Sequence, residues 1–285
     1  MKRLYVNSLN RFEPPHDAAP SCAETPMNTK TLLLLLALSF GLTWGIAAIL
    51  ILFSDQVAAV FGELTIRNPL YILAVYSPGI AGILLVFRHH GLAGVARFLR
   101  RLTLLRAPLG WWAFLVLGIP AVVYTGAAIK GALHDPFPFS TFQQAFSALA
   151  FALVLGPIEE FGWRGVALPL LQRRFAPLWA GLILGTLIGI WHIPAFFLSG
   201  APMSGWSFGP YFGAVIAVYV ILTPFFNAAR GSLLVAYLYH FQLMNPVFPD
   251  AQPWDNLLWI AIALVVVWLK RDALLDRESA VTEVL

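Results

Sequence analysis

Five ionisable side chains lie inside the apolar stretches of this 285-residue sequence, whereas every other acidic residue falls in a predicted loop or tail. They are Glu159, Glu160, Arg164, His192 and His240. A charged residue at the centre of a membrane helix costs about 2.5–3.5 kcal/mol on insertion scales. Such residues face the interior of a helix bundle and find one another there. We therefore expect these five to form a functional site.

Helical geometry assigns different roles to the two adjacent glutamates. At about 100° per residue, Glu160 and Arg164 lie on one helix face and can form an ion pair. Glu159 lies about 140° from Arg164 on the same helix. The spacing therefore predicts that Glu160 and Arg164 satisfy each other and that Glu159 stays available as a general base.

One carboxylate and two imidazoles that converge in a water-accessible cavity form a hydrolytic site. Glu159 would take a proton from water, and His192 or His240 would hold that water or stabilise an oxyanion. The same three residues could instead hold Zn²⁺ with an open fourth position. Structural explanations stay open, because a Glu–Arg pair in a membrane helix can be purely structural and a histidine can be a satisfied core residue.

The composition indicates a polytopic membrane protein, since 59% of the residues are apolar and only 11% are charged. A single cysteine, Cys22, excludes a disulfide framework. We predict an all-α fold with about eight transmembrane helices in a bundle around a polar catalytic cavity. The apolar runs lie near residues 31–53, 69–87, 109–129, 142–171, 177–198, 210–228, 231–248 and 254–270. The fourth is too long for one straight span, so it either kinks near Gly156-Pro157 or surfaces after Arg164.

Basic residues are distributed unevenly between the two ends of this predicted bundle. With eight spans, 15 of the 18 Lys and Arg residues fall on one side, Arg67 and Lys130 fall on the other, and Arg164 lies inside. This asymmetry predicts that both termini are cytoplasmic, and the inner (plasma) membrane of a bacterium is the expected location. The basic segment 92–105 is either an interfacial amphipathic helix or a loop.

We divide the chain into three parts. Residues 1–28 are expected to be a disordered cytoplasmic extension, because the sequence there is polar and contains proline. Translation starting at Met1 and translation starting at Met27 both stay open. Residues 29–272 form the transmembrane domain, with a catalytic core at about 142–248. Residues 273–285 are expected to be a cytoplasmic tail.

Three motifs on separate spans resemble those of the CAAX protease and bacteriocin-processing (CPBP, or Abi) family of intramembrane proteases. The first reads Glu159-Glu160-Phe161-Gly162-Trp163-Arg164. The second, Phe-x-x-x-His in the family, reads Ile188-Gly189-Ile190-Trp191-His192. The third, His-x-x-x-Asn/Asp, begins at His240, but Met244 stands at the amide position and Asn245 follows it. Either the helix breaks before Met244 or Asn245 does not fill the family role.

The resemblance implies a role for each matching residue. Glu159 would be the water-activating base with His192 as its partner, and Glu160 and Arg164 would organise the site. His240, with Asn245, would stabilise the oxyanion.

The resemblance also implies an activity, which is that of an intramembrane endopeptidase of the glutamate type or the metalloprotease type. Its partners would be the lipid bilayer and a membrane-anchored protein or peptide substrate, without nucleic acid. Zn²⁺ at Glu159, His192 and His240 is the one cofactor left open. The alternatives are a non-proteolytic scaffold or immunity-like protein of the same family and a proton-coupled transporter.

Overall fold

The computed structural model describes residues 27–285, and every regular element within them is helical. The predicted disordered extension lies outside the described residues, apart from Met27 and Asn28. Asn28 caps the first helix, because its side chain accepts a hydrogen bond from the backbone N–H of Lys30 at 2.9 Å.

Nine helices define the bundle among the described residues. They are α1 (Thr29–Leu52), α2 (Ser54–Phe61), α3 (Pro69–Thr103), α4 (Leu109–Lys130), α5 (Phe142–Gln172), α6 (Pro177–Phe197), α7 (Phe208–Ala228), α8 (Leu233–Leu243) and α9 (Trp254–Leu269). Six of them are long and apolar enough to cross a membrane, namely α1 and α3 to α7. Helix α7 lies at the centre and packs against α6 and α9. The prediction of an all-α polytopic membrane protein is confirmed.

The last two apolar runs form shorter helices than predicted. Helix α8 has 11 residues and α9 has 16. At a rise of 1.5 Å per residue, α8 is about 16 Å long, roughly half of the 30 Å hydrocarbon core. Helix α8 is therefore too short to cross the hydrocarbon core by itself.

Helix α3 continues well beyond the predicted end near residue 87. Gly91 interrupts it with a φ of 61°, a conformation that glycine adopts without strain. A second helical stretch begins at Leu92. Of the two predictions for the basic segment 92–105, a helix or a loop, the structure therefore has the helix. A short helix that was not predicted, α2, follows α1.

Helix α5 changes its geometry where the sequence carries Gly156-Pro157. The α-helix stops at Leu155, and residues Gly156–Glu159 form a 3₁₀ turn. Proline has no N–H to donate to the helical ladder, so a regular α-helix cannot continue through it. A π-helical turn follows at Trp163–Ala167. The predicted kink is confirmed, and the alternative of surfacing after Arg164 is wrong because residues 160–172 are all buried.

Helix α3 supports this irregular segment through a close backbone contact. A Cβ atom placed on Gly82 would lie 2.9 Å from the Cα of Gly162. Small residues at such crossings let membrane helices approach closely. The contact therefore fixes the position of the segment that carries both glutamates.

We expect Gly82→Ala to destabilise the protein by about 1–3 kcal/mol, because the added methyl group forces α3 away from Gly162. Thermal unfolding in mild detergent measures the effect. Gly45→Ala in α1 is the matched control, since a Cβ atom there meets nothing within 4 Å. Equal unfolding temperatures for the two variants would contradict the proposed close contact.

Arg101 is buried, although the sequence analysis placed it between two predicted membrane spans. Arg101 is only 8% exposed, and its guanidinium donates to the carbonyl oxygens of Gly231, Gly165 and Val284 at 2.8, 3.1 and 2.7 Å. Val284 belongs to the predicted cytoplasmic tail, which packs against the bundle here. Arg101 thus ties the tail to the π-helical turn of α5.

Candidate active site

Glu160 is the centre of a buried three-residue network. Its side chain is fully buried, and one carboxylate oxygen pairs with the Arg164 guanidinium one helical turn away. The other oxygen accepts a hydrogen bond from Nδ1 of His240 at 2.7 Å. A buried carboxylate is tolerable only when it is paired and hydrogen-bonded, and here both oxygens are.

The contact with Glu160 fixes the orientation of the His240 ring. A carboxylate can only accept, so Nδ1 of His240 carries the hydrogen. Nε2 then lies on the far side of the ring, close to Gly156, where a Cβ atom on the glycine would be 2.9 Å from it. Glu160 therefore acts on His240 as a carboxylate that holds an imidazole in one orientation.

Arg164 is fully engaged within the protein. Its side chain is 2% exposed, and its Cζ atom lies 3.8 Å from the centre of the Tyr219 ring on α7. At this distance the guanidinium gains a cation–π interaction as well as its ion pair. Arg164 therefore joins α5 to α7 and holds Glu160 in place.

Glu159 differs from its neighbour because its carboxylate is not paired. The residue is 4% exposed, and among the described residues Oε2 has no hydrogen-bond partner. Buried polar atoms without a partner are rare in proteins and need an explanation. Glu159 lines an internal cavity, so its carboxylate lies next to the space that a bound molecule would occupy.

His192 follows the last residue of the α-helical part of α6. Its Nδ1 atom lies 2.8 Å from the carbonyl oxygen of Ile188, so Nδ1–H donates to that oxygen. The ring stands edge-to-face with Trp191 and Tyr211, at centroid distances of 4.7 and 5.6 Å. Nε2 of a neutral ring held in this way is an acceptor.

One cavity of about 530 Å³ brings the predicted residues together. Its wall includes all six residues that the sequence singled out, namely Glu159, Glu160, Arg164, His192, His240 and Asn245. Most of the remaining wall is apolar. This size and character are typical of a small-molecule or peptide binding site.

Asn245 enters this wall because α8 ends before it. The helix stops at Leu243, so of the two alternatives for the third motif the structure has the break before Met244. Nδ2 of Asn245 donates to Oε1 of Gln242 at 3.0 Å, and its Oδ1 accepts from the backbone N–H of Val247 at 3.2 Å. The contribution of Asn245 to an oxyanion site stays a prediction.

The predicted zinc ligands are not arranged around a common point in the described part of the chain. In residues 27–285, no group of three His, Cys, Asp or Glu side chains is placed so as to hold one. Glu159, His192 and His240 therefore do not form a ready-made ligand set, and Nδ1 of each histidine is already bonded to another oxygen. The use of Zn²⁺ stays a prediction, and we assign no step to it.

Four tyrosines in the cavity wall were missed by the sequence analysis. Tyr71 comes from the start of α3, Tyr211 and Tyr219 come from α7, and Tyr239 directly precedes His240. The hydroxyl oxygen of Tyr239 is buried and has no hydrogen-bond partner among the described residues. A tyrosine has a polar tip that seeks a partner when buried, so tyrosines inside apolar spans were a usable signal.

The part of the chain that carries the cavity residues is similar in sequence to a known protein family. Residues 141–245 match the model of the Rce1-like family of type II CAAX prenyl endopeptidases. This region is therefore similar to CAAX proteases. The matched range contains all six predicted site residues. It confirms the resemblance to CAAX proteases that the three motifs indicated.

One curated relative matches part of the chain. CAAX prenyl protease 2 of Methanococcus maripaludis is 28% identical over 136 residues, which cover 43% of this chain and 50% of that protein. The chain thus spans about half the length of this relative. The CAAX protease region is therefore the part of the chain for which a likeness is established.

Proposed function

We propose that this chain is an intramembrane endopeptidase in which Glu159 activates water. The observation that carries the proposal is the contrast between the two glutamates. Glu160 is bonded through both oxygens, whereas Oε2 of Glu159 has no hydrogen-bond partner among the described residues, and Glu159 lines the cavity. Asp255 also lines the cavity, but its two oxygens accept hydrogen bonds from Gln252 and from the backbone N–H of Asn256. A base must be free to take a proton, so we assign that role to Glu159.

His192 is proposed to orient the attacking water. Its Nδ1–H is committed to Ile188, so Nε2 can accept one hydrogen of the water while Glu159 accepts the other. The water oxygen attacks the carbonyl carbon of the peptide bond, and its proton passes to the Glu159 carboxylate. When the C–N bond breaks, that proton moves to the leaving nitrogen, and Glu159 is an anion again.

His240 is proposed to stabilise the negative charge that forms on the peptide oxygen. The Glu160 carboxylate holds Nδ1 of the ring, and a ring that carries a second hydrogen on Nε2 can donate it to this oxygen. Removing one donor of this kind from a hydrolase typically lowers the rate by 10²–10³-fold, so it is a large part of catalysis. Asn245 and Tyr239 are further donors on the same wall.

The substrate class follows from the fold and from the cavity. A site enclosed by membrane helices and walled by apolar side chains favours a membrane-associated protein whose cleavable segment is apolar. The curated relative carries the name of a prenyl protease, and a prenylated protein is one substrate of this class.

We expect His192→Gln to lower the cleavage of bilayer-anchored peptides by about 10²–10⁴-fold, because the water loses its second acceptor. The measurement uses purified protein in liposomes with a library of lipid-anchored peptides, and mass spectrometry identifies the products. His134→Gln is the matched control, since His134 is exposed in the loop between α4 and α5. If the His192 variant cleaves as the wild type does, His192 does not orient the attacking water.

A further inference from the structure

Helix α5 has two backbone carbonyl groups without regular helical partners at the break that precedes Glu159. In a continuous α-helix the carbonyl of Leu153 would accept from the N–H four residues later. That position is Pro157, which has no N–H. The next carbonyl, that of Val154, would accept from Ile158, but Ile158 lies in the 3₁₀ turn, whose hydrogen bonds reach back three residues rather than four. The break therefore frees both acceptors.

These two carbonyl groups belong to residues on the outside of the bundle. Leu153 and Val154 are 38% and 49% exposed, and neither lines the cavity. The hydrocarbon core of a membrane contains no water that could bond to a free carbonyl, so each such group needs a partner from the protein. The break therefore requires two hydrogen-bond donors from neighbouring helices.

Two tyrosine hydroxyls supply these donors, one from each neighbouring helix. The hydroxyl of Tyr76 on α3 donates to the carbonyl oxygen of Val154 at 2.7 Å. The hydroxyl of Tyr237 on α8 donates to the carbonyl oxygen of Leu153 at 2.5 Å. Neither tyrosine lines the cavity. Both therefore act on the backbone of α5 from outside the cavity.

The same two helices also contact the residues that follow the break. The Tyr237 ring on α8 stacks on the Phe161 ring, with centroids 6.3 Å apart and planes at 30°. On α3, a Cβ atom placed on Gly79 would lie 2.4 Å from the carbonyl oxygen of Ile158, so the backbone of α3 touches the 3₁₀ turn itself. The turn is thus fixed by α3 and α8 at both of its ends.

The geometry of this turn determines the direction of the Glu159 side chain. A 3₁₀ helix has about 3.0 residues per turn and an α-helix about 3.6, so each residue of the 3₁₀ turn advances by about 20° more. Over the four residues Gly156–Glu159 the difference adds up to roughly 80°. An uninterrupted α-helix would therefore carry the Glu159 side chain to a different face of α5.

We propose that Tyr76 and Tyr237 are positioning residues, whose hydroxyl groups hold the break of α5 and so keep Glu159 in place on the cavity wall. This role rests on the proposed protease function, in which Glu159 is the general base. A displacement of a reacting group by about 1 Å can lower a rate by about 10²-fold. Loss of the two hydrogen bonds should therefore affect the chemical step rather than the binding of substrate.

Phenylalanine at both positions tests the role, because it keeps the two rings and removes the two hydroxyls. We expect the Tyr76→Phe, Tyr237→Phe double variant to lower kcat for the lipid-anchored peptides by roughly 10–100-fold, with KM changed by less than about twofold. Tyr124→Phe is the matched control, since Tyr124 is an exposed tyrosine of α4 whose hydroxyl donates to no described residue. An unchanged kcat in the double variant, or a change in KM alone, would overturn the proposal.

Amide hydrogen exchange, followed by mass spectrometry in detergent, gives a second measurement that does not depend on catalysis. In the double variant we expect faster exchange in the peptides that cover residues 156–162, with the rest of the bundle unchanged. Exchange at the wild-type rate in these peptides would overturn the proposal. Faster exchange with a full kcat would overturn it too, because the tyrosines would then hold the fold without positioning the base.

A backbone N–H restored at position 157 distinguishes these hydrogen bonds from a general loosening of the bundle. In a Pro157→Ala background the carbonyl of Leu153 has a backbone donor within reach. Adding Tyr237→Phe should therefore raise the exchange of residues 156–162 less than it does in the wild type. An equal rise in both backgrounds would show that Tyr237 does not act through this carbonyl and would contradict the proposal.

The rate and exchange measurements separate this inference from the proposed function. If the wild type cleaves no peptide while exchange rises in the double variant as expected, the protease function fails and the contact of the tyrosines with the break stands. If the wild type cleaves and the double variant matches it in rate and in exchange, the positioning role fails and the protease function stands.

Discussion

Replacing Glu159 with glutamine is expected to lower peptide cleavage by about 10²–10⁴-fold, the usual contribution of a general base. Glutamine has the size and shape of glutamate but cannot take a proton from water. Oε2 of Glu159 has no hydrogen-bond partner among the described residues, so the exchange breaks no hydrogen bond of that atom with them. The variant should therefore insert into the membrane and unfold at a temperature close to that of the wild type.

The measurement pairs an activity assay with a stability assay. Initial rates are taken in liposomes with the lipid-anchored peptides, and thermal unfolding is followed in mild detergent. Glu63→Gln is the matched control, because Glu63 is an exposed glutamate in the loop before α3 at the same end of the bundle. Undiminished cleavage by the Glu159 variant would remove the proposed mechanism, whatever its stability.

The predictions that succeeded rest on short separations in the sequence. The pair of Glu160 and Arg164 follows from a spacing of four residues, and the structure has it. The kink of α5 follows from Gly156-Pro157, because the missing N–H of a proline acts wherever the chain folds. Local rules of this kind hold whatever surrounds them.

The predictions that fell short depended on contacts between distant parts of the chain. His240 lies 80 residues from Glu160, and the hydrogen bond between them requires α8 and α5 to be placed by the whole bundle. The 3₁₀ and π turns on either side of Glu160 also depart from the 100° per residue that the sequence analysis assumed. Helical spacing could therefore not show that Glu160 has a second partner.

Arg101 and Asn245 illustrate two further limits. Arg101 lies in the basic segment 92–105, yet three carbonyl oxygens supplied by distant segments bury it. Asn245 was judged by helical spacing, but the helix ends at Leu243, so that spacing does not apply. The first case depends on contacts between distant segments, and the second depends on where a helix ends, which sequence patterns define poorly.

The second large effect is expected at Glu160, where glutamine should destabilise the fold as well as abolish cleavage. We expect a loss of about 3–5 kcal/mol, because Arg164 would stay buried without its ion-pair partner. His240 would at the same time lose the carboxylate that orients its ring. The free energy of unfolding, measured by denaturant titration in detergent, and the cleavage rate should therefore fall together.

A second substitution separates the cost of the unpaired charge from the loss of catalysis. Arg164→Met in the Glu160→Gln background removes the stranded guanidinium, so the double variant should lose less stability than the two single variants added together. Its cleavage should stay absent, since His240 still lacks its carboxylate. Glu159→Gln is the matched control, one residue away and chemically identical, with the opposite pattern of stable protein and lost activity. If Glu160→Gln were as stable as Glu159→Gln, the Glu160 network would not hold this site together, and the division of roles between the two glutamates would have to be reversed.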